Sequence, residues 1–417
     1  MPSLRVRLTS LLRSTERYTK TDMVYLFQGG FWLMISQFVA MAASLLLAIA
    51  FGNLATPDTY GNYKYVLSLW GLCSAFSLTG VGTAITQSTA LGYEGSFRHG
   101  VSLNLKWSLG SVFIALATAA YYFFIEQNLF VATSLCIVAL FSPFLSSFSL
   151  FDPFLIGKKE FKRHGIYLSL NGLIPVLVLI GTLFITDRAI VLVSVFFLSN
   201  FIADLITYLF ALRHAKNDQR DEGMFKYSKH LSLMGIVGAL ADKIDSIATF
   251  VLLGPINLAI YTFATAIPEQ IKQVIKFVAP LSLARFAERS LPEIRQTIWR
   301  RILLLGIAVA VGITAYIVAT PLIFKVLFPL YTESIVFSQW YALSIVVTVI
   351  TAPLTSVLQA HKKTRELYIL SYVSSLSLII LLPIGTYLYG IAGAIGSQII
   401  YRLITATVVL VEFNRAK

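Results

Sequence analysis

Long apolar runs follow one another along almost the whole chain, and the gaps between them are short. A run of about 18 or more mostly apolar residues is long enough to cross a bilayer as a helix. The pattern predicts twelve transmembrane helices, approximately at 24–51, 60–90, 101–125, 129–156, 165–186, 189–212, 229–253, 257–284, 298–328, 334–360, 366–388 and 390–413. We therefore expect an all-α membrane protein without a soluble domain larger than a loop.

The composition agrees with a bilayer as the solvent. Hydrophobic residues make up 57% of the chain and charged residues only 13%, with a mean hydropathy of +0.77. An ordinary soluble domain carries about 25% charged residues. Residues 1–23 are basic and lack the apolar core of a cleaved signal peptide, so we interpret them as a cytoplasmic segment before the first span.

Basic residues mark one side of the predicted bundle. Of the 33 Lys and Arg residues, 26 fall in termini and loops that alternate onto the same side. Cytoplasmic loops of membrane proteins carry this excess, so both termini are predicted to be cytoplasmic. The same asymmetry explains the net charge of +13 by attraction to an anionic leaflet. The charge is therefore not evidence for nucleic-acid binding.

A repeat divides the chain into two halves. The first span ends in Phe51-Gly52 before Tyr60, and the seventh ends in Leu253-Gly254 before Tyr261, an offset of 201 to 202 residues. Repeats of this kind place a transporter's site at the midplane between two lobes. We predict two six-helix lobes related by pseudo-two-fold symmetry around a central cavity. The predicted parts are an N-lobe at 24–212, a cytoplasmic linker at 213–228, a C-lobe at 229–413 and a cytoplasmic tail at 414–417.

Two neighbouring spans carry charges near their middle. A charge at the bilayer centre costs about 2.5–3.5 kcal/mol on an insertion scale unless it is paired or hydrated. The cluster consists of Asp242, Lys243 and Asp245 in one span and Glu269, Lys272 and Lys276 in the next. The spacing places the two aspartates on one helical stripe and Glu269 with both lysines on another.

Two interpretations of these charges stay open. An aspartate can pair with Lys272 or Lys276 and hold the two helices together. Alternatively, the charges line a water-filled cavity and contact a polar ligand. Lys243 lies off the aspartate stripe, so it is expected to point into its own lobe instead.

Other intramembrane polar residues also have two interpretations. Arg402 is either a cavity cation or the partner of an acid in its own lobe, and Asp204 is a buried hydrogen-bonding group between helices. Lys64 either extends to the headgroups or contacts substrate. Gln28 and Gln87 are suited to hydrogen bonds with sugars or to helix packing. The first lobe is thus expected to be polar but nearly uncharged.

Several short motifs in fixed order carry a family resemblance. The first half contains Phe51-Gly52, then Tyr60-Gly61-Asn62-Tyr63 and Gly80-Val81-Gly82. The second contains Lys243-Ile244-Asp245, Leu253-Gly254, Tyr261, Ala264 to Pro268, Pro280 and a tail with Gly390, Gly393 and Gly396. With this order and spacing, nearly the whole chain resembles the bacterial polysaccharide-export (O-antigen type) flippases. That family belongs to the superfamily of multidrug, oligosaccharidyl-lipid and polysaccharide exporters, in which twelve spans favour extruders or oligosaccharide flippases over lipid II flippases.

The resemblance implies a function and a location. It implies a flippase of the bacterial inner membrane that moves an isoprenoid-diphosphate-linked oligosaccharide outward, with a polysaccharide polymerase and chain-length proteins as possible partners. The acids Asp242, Asp245 and Glu269 are then candidates for binding protons or sodium. The candidate substrate-binding residues are Lys243, Lys272, Lys276, Arg402, Gln28, Gln87 and Lys64. Lysine suits a diphosphate because its ammonium binds phosphate as a compact point charge.

Two other functions remain as alternatives. A multidrug extrusion antiporter needs an acidic, aromatic cavity for cations, and no acid lies inside the first span. A non-transporting membrane component or glycan-assembly enzyme is the other alternative, although an enzyme of that kind needs a larger outer loop. The sequence contains no phosphate-binding G-x-x-x-x-G-K-[ST] motif and no catalytic triad or metal-ligand spacing. We therefore expect a transporter without a cofactor.

Overall fold

The computed structural model of the protein describes residues 23–287 and 291–415, without the side chains of residues 23–29, 234 and 274–287. Residues 1–22 of the predicted N-terminal segment 1–23 and residues 416–417 of the predicted tail lie outside this description. Helices of the first half are α1 Met23–Leu54, α2 Pro57–Ser74, α3 Val81–Ala90, α4 Ser96–Trp107, α5 Leu109–Phe124, α6 Leu129–Phe148, α7 Phe151–Gly157, α8 Phe161–Leu183 and α9 Ala189–Leu212. Those of the second are α10 Met224–Ala241, α11 Ile244–Leu253, α12 Pro255–Ala287, α13 Leu291–Leu327, α14 Ser334–Ile345, α15 Thr348–Ala360 and α16 Thr364–Arg415.

Several membrane crossings are built from two consecutive helices. Eight helical stretches of the described chain are long and apolar enough to cross a bilayer. The long α16 bends at Tyr389 and Gly390, where Gly390 has a φ of +59°, and so supplies two crossings. Residues 57–90, 224–253 and 255–287 complete a layout consistent with the predicted twelve helices in two lobes. The predicted all-α membrane fold is confirmed.

Each half of the chain packs mainly within itself. In the first half, α1 lies against α8, and α6 contacts both α5 and α9. In the second half, α12 packs against α14 and α15, and α16 against α11 and α15. The lobes meet where α2 lies along α11 and α12, and where α3 lies along α10. The interface therefore contains α10, α11 and α12, which carry the predicted charges.

Aromatic rings seal one end of the lobe interface. Tyr60 of α2 lies 4.8 Å from Phe263 of α12, measured between ring centroids, and 4.9 Å from Phe51 of α1. Phe263 also packs on Phe328 at 4.9 Å and on Tyr331 at 3.9 Å. All five residues are buried. We call this region, residues 51–65, 250–263 and 327–331, the closed end.

The backbone of the two lobes is in direct contact at the closed end. A Cβ added to Gly61 would lie only 1.9 Å from the carbonyl oxygen of Pro255. We predict that Gly61→Val separates the lobes here and lengthens the distance between spin labels on the exposed Asp58 and Leu330, measured by double electron-electron resonance. Gly172→Val is the control, because an added Cβ at Gly172 meets nothing within 4 Å. An unchanged distance in Gly61→Val would contradict the packing of this end.

The opposite end carries the basic loops and the connection between the lobes. We call residues 91–95, 158–160, 213–223 and 361–363 the basic end. Lys158 forms a salt bridge with Glu94 at 3.0 Å, and Asn217 donates to the Gly92 carbonyl at 3.0 Å. The connection is also held by the salt bridge between Arg98 and Asp218 at 2.8 Å. Residues 213–223 are therefore bound to the first lobe, while the rest of the predicted linker belongs to α10.

The ion pair between Glu94 and Lys158 predicts how the stability of the protein changes with pH. Partial burial raises the pKa of the Glu94 carboxyl, but the Lys216 backbone N–H and the Lys158 ammonium outweigh it, so the pKa is lowered from its usual value. The stabilisation is present above the unfolded-state pKa and is lost as the pH falls through the lower folded-state pKa. We expect Glu94→Gln to lower the free energy of unfolding by about 2–3 kcal/mol at neutral pH, because the buried Lys158 then keeps the His214 carbonyl but only a distant acid, Glu160 at 4.0 Å.

Thermal unfolding from neutral to acidic pH checks this expectation. The difference in melting temperature between the wild type and Glu94→Gln should be largest at neutral pH and disappear in acid. Glu222→Gln, an exposed position in the same connection, serves as the control. A constant difference at every pH would show that the Glu94 charge is not its source.

Candidate substrate site

The seventh predicted span is interrupted at its charges. Helix α10 ends at Ala241 and α11 begins at Ile244, so Asp242 and Lys243 lie in the break between them. The predicted single stripe of Asp242 and Asp245 was wrong because it required a continuous helix. Asp242 is exposed.

Asp245 connects the two arms of this hairpin. One carboxylate oxygen accepts a hydrogen bond from the Tyr261 hydroxyl of α12 at 3.1 Å. The other accepts from the Ser246 backbone N–H at 2.6 Å. Asp245 thus holds α11 against α12 through a tyrosine, whereas the sequence suggested a lysine as the partner.

Glu269 is the centre of a polar cluster inside the second lobe. Its carboxylate forms a salt bridge with Lys272 one turn away and accepts a hydrogen bond from the Tyr341 hydroxyl of α14. It also lies 3.2 Å from Nη2 of Arg402 in α16. The predicted stripe of Glu269 and Lys272 therefore forms a direct contact. For Arg402, the structure favours an acid partner in its own lobe.

Arg402 is buried, but not all of its hydrogen-bond donors have a partner among the described residues. Its side chain is 8% exposed, and Nη2 donates to the Tyr341 hydroxyl at 2.6 Å. The guanidinium lies over the Tyr341 ring at 4.6 Å from the centroid, within the range of a cation–π contact. Nη1 is buried and has no hydrogen-bond partner among the described residues. This donor is available to an acceptor that enters the cluster.

Lys243 reaches across the lobe interface, not into its own lobe as expected. A Cβ added to Gly71 of α2 would lie 2.5 Å from Lys243 Cε, so glycine leaves the space that the lysine side chain occupies. Lys64, also on α2, lies over the Tyr60 ring at 5.6 Å and is close enough to Lys243 for their charges to repel. Neither lysine forms a salt bridge with an acid in the described part of the chain. Two half-buried cations from opposite lobes therefore lie near each other.

The remaining predicted site residues are not part of this arrangement. Gln87 donates to the Tyr227 hydroxyl at 3.3 Å, near the basic end. The side chains of Gln28 and Lys276 lie outside the described residues. Their predicted contacts with substrate stay predictions.

The sequence analysis did not identify three residues that contribute to these contacts. Tyr341 joins Glu269 to Arg402, Tyr261 binds Asp245, and Gly71 makes space for Lys243. A single tyrosine or glycine in an apolar span gives no sign of a distant charged partner. The offset between the halves marked Tyr261 only as an equivalent of Tyr60.

Solved structures with the same fold are transporters and flippases. The chain superposes on a multidrug resistance MATE family transporter of the MOP superfamily in an inward-facing conformation, with a TM-score of 0.71 and 13% identity over 93% of this chain and 97% of the other. The lipid II flippase MurJ in an inward closed conformation gives 0.68 and 13% identity over 91% and 86%. A MOP superfamily transporter from Pyrococcus furiosus gives 0.61 and 13% over 93% and 94%.

The chain therefore has the fold of MOP superfamily transporters, as the resemblance implied at the level of the superfamily. None of these similar structures is described as an enzyme. No protein-family model matches the sequence, and no curated protein matches it either. The fold is shared equally by extruders and by a lipid flippase, so the choice between them depends on the residues at the site.

Proposed function

We propose that this protein is a flippase that moves an isoprenoid-diphosphate-linked oligosaccharide from the cytoplasmic to the outer leaflet of a bacterial inner membrane. The observation that supports this function most strongly is a pair of lysines, Lys64 and Lys243, which lie near each other on opposite lobes. Neither forms a salt bridge with a described acid. Two lysines brought together without a salt bridge are costly in a membrane. A diphosphate between them removes this cost.

The translocation step follows from the packing of the lobes. The isoprenoid tail stays in the hydrocarbon, while the sugars and the diphosphate need a hydrated path inside the protein. The aromatic cluster seals the closed end, so we propose that substrate enters from the side of the basic end, whose excess of Lys and Arg marks the cytoplasmic face. Rocking of the lobes then opens the closed end and carries the diphosphate outward.

The second lobe supplies the proposed coupling groups. Glu269 is held by Lys272 and Arg402, and Asp245 by Tyr261. We propose that a proton or sodium ion binds at Asp242, Asp245 or Glu269. Binding at Glu269 frees Lys272 and Arg402, and Arg402 then offers its unpartnered Nη1 to the diphosphate. Lys272 and Lys276 remain proposed substrate contacts on α12. Flipping at full rate after collapse of both gradients would contradict this coupling.

A multidrug extrusion antiporter is less consistent with the site. A cavity for organic cations needs acids without basic partners, whereas Glu269 is paired with Lys272 and Arg402. Asp245 accepts from Tyr261, and the interface lysines Lys64 and Lys243 form no salt bridge with a described acid. The fold alone does not separate the two functions.

A deletion strain tests the proposal in the cell. We expect loss of a surface polysaccharide and accumulation of its lipid-linked unit on the cytoplasmic face. Plasmid-borne protein should restore the polysaccharide. A normal amount of surface glycan in the deletion strain would contradict the proposed function.

A further inference from the structure

An open cavity of about 430 Å³ lies on the surface of the first lobe. It is formed by the connection between α2 and α3 and by the junction of α4 and α5. One lysine and five uncharged residues line it: Phe76, Lys106, Trp107, Gly110, Phe113 and Ile114. None of these residues belongs to the proposed substrate site. Phe113 is 72% exposed on the protein surface, so the apolar part of the cavity faces the lipid.

Two lysines from different lobes lie at this cavity. Lys106 of α4 lines it, and the Lys229 ammonium of α10 lies over the Trp107 ring, 5.7 Å from the centroid. Phe225, about one turn before Lys229, also packs against Trp107, with 6.1 Å between the ring centroids. Neither lysine forms a salt bridge with an acid in the part of the chain that the structure describes. Trp107 thus joins a lysine of each lobe at one surface.

Further basic groups extend this positive charge. His99 lies two turns before Lys106 on α4, close enough to both Lys106 and Arg220 for their charges to act on it. Arg220 belongs to the connection between the lobes and has no salt bridge with a described acid. Asp218 of the same connection is already paired with Arg98 at 2.8 Å. The surface around the cavity therefore favours an anionic ligand.

The lysines lie at the depth of the lipid phosphates. The segment Ser96–Phe124 is long and apolar enough to cross a bilayer. Since about 20 helical residues cross the hydrocarbon, counting back from Phe124 places its boundary next to Lys106. The same count back from Leu253, the end of α11, leaves Lys229 in the headgroup region. The cavity is therefore cationic at headgroup depth, and its lining from α5 lies on the hydrocarbon side.

We infer that this surface binds an anionic phospholipid of the leaflet at the basic end, with the lipid phosphate between Lys106 and Lys229 and part of one acyl chain in the cavity. Anionic lipids attract basic residues at the membrane surface, and tryptophan is typical of this depth. The lining ends at Ile114, about 12 Å beyond Lys106 along the helix axis, so the cavity suits part of an acyl chain and not a long isoprenoid.

The bound lipid connects the lobes at the basic end. Its phosphate contacts Lys106 of the first lobe and Lys229 of the second, so it stabilises the packing of α10 on the first lobe. The inference goes beyond the proposed function, because the lipid is a component of the surrounding bilayer and is not transported. It holds whether or not the substrate is a glycan lipid.

Native mass spectrometry of the full-length protein, titrated with phosphatidylglycerol, measures the affinity for the first bound lipid. We expect Lys106→Ala and Lys229→Ala each to weaken this binding about fivefold, the contribution of one lysine beside an anionic lipid. Lys162→Ala is the matched control, because Lys162 is also exposed and lies over a tryptophan ring, Trp32 at 5.9 Å, but does not line the cavity. Equal affinities in all three variants would overturn the inference.

Fluorescence quenching in nanodiscs locates the lipid without a lysine variant. Phosphatidylglycerol with brominated acyl chains should quench tryptophan more strongly than phosphatidylcholine with the same chains at the same mole fraction. Trp107→Phe should remove this excess. Equal quenching by the two lipids, or an excess that persists in Trp107→Phe, would contradict the site.

Competition distinguishes the sources of the phosphate. Neither inorganic phosphate nor an equimolar amount of undecaprenyl phosphate should displace the brominated phosphatidylglycerol. Displacement by inorganic phosphate would assign the site to a free anion, and displacement by undecaprenyl phosphate would assign it to an isoprenoid lipid. Either result would overturn the inference. None of these readouts requires lipid-linked glycan, so they are independent of the proposed substrate.

Discussion

Replacing Glu269 with alanine is expected to lower the free energy of unfolding by about 3–5 kcal/mol, because the substitution leaves Arg402 enclosed without its acid. The Arg402 side chain is only 8% exposed, so bulk water does not replace the carboxylate. Lys272 also loses its salt bridge with Glu269 in the same variant. Chemical denaturation of the protein in detergent measures the effect.

A double-mutant cycle separates the ion pair from general damage. Glu269→Ala combined with Arg402→Ala should cost less than the sum of the two single changes, since neither charge is then left unpaired. Glu222→Ala, at an exposed position, should change stability little. Equal stability of Glu269→Ala and Glu222→Ala would show that the cluster does not contribute to folding.

Removing either interface lysine is expected to weaken binding of the lipid-linked oligosaccharide by at least about tenfold. A charge-assisted hydrogen bond to phosphate contributes about 1.5–3 kcal/mol, which corresponds to a factor of about 10–100. Lys64→Ala and Lys243→Ala should both show the loss, measured by microscale thermophoresis with the protein in nanodiscs. Lys243→Arg should retain part of the affinity because it keeps the charge.

The matched control for these lysines is Lys325→Ala. Lys325 is exposed near the closed end and lies outside the proposed site. Its removal should leave the affinity unchanged. Wild-type affinity in both Lys64→Ala and Lys243→Ala would remove the main support for diphosphate binding and would favour the extruder alternative.

The sequence predicted the layout of the helices better than it predicted their contacts. Apolar run length determines where a helix can cross a bilayer, so the predicted twelve-helix layout is consistent with the structure. Helical periodicity also placed Glu269 beside Lys272, because residues three apart share a face. These are local properties of the chain.

The missed features depend on contacts between distant residues. Arg402 meets Glu269 across 133 positions, and Tyr341 reaches the same carboxylate across 72. The break at Asp242 and Lys243 contains neither glycine nor proline, the residues that usually mark an interruption. Both α10 and α11 pack against α16, but α10 also packs along α3 and α11 along α12, so the break coincides with a change in tertiary contacts.

The two lobes have different electrostatic roles in this account. The interface joins Lys243 of the second lobe to Lys64 of the first, so the proposed diphosphate site is shared between them. The first lobe also contains a cavity lined by Asp152 and Asp204. The sequence led us to expect a charged second lobe facing a neutral first lobe. The structure instead has lysines of both lobes at the interface and acids inside both lobes.

Translocation by the purified protein tests the central claim most directly. Proteoliposomes would be loaded with either a fluorescent undecaprenyl-diphosphate oligosaccharide or a fluorescent organic cation, and transfer would be followed under imposed proton and sodium gradients. We predict protein-dependent flipping of the glycan lipid, a loss of that activity in Lys243→Ala, and no transport of the cation. Transport of the cation without any flipping of the glycan lipid would contradict the account.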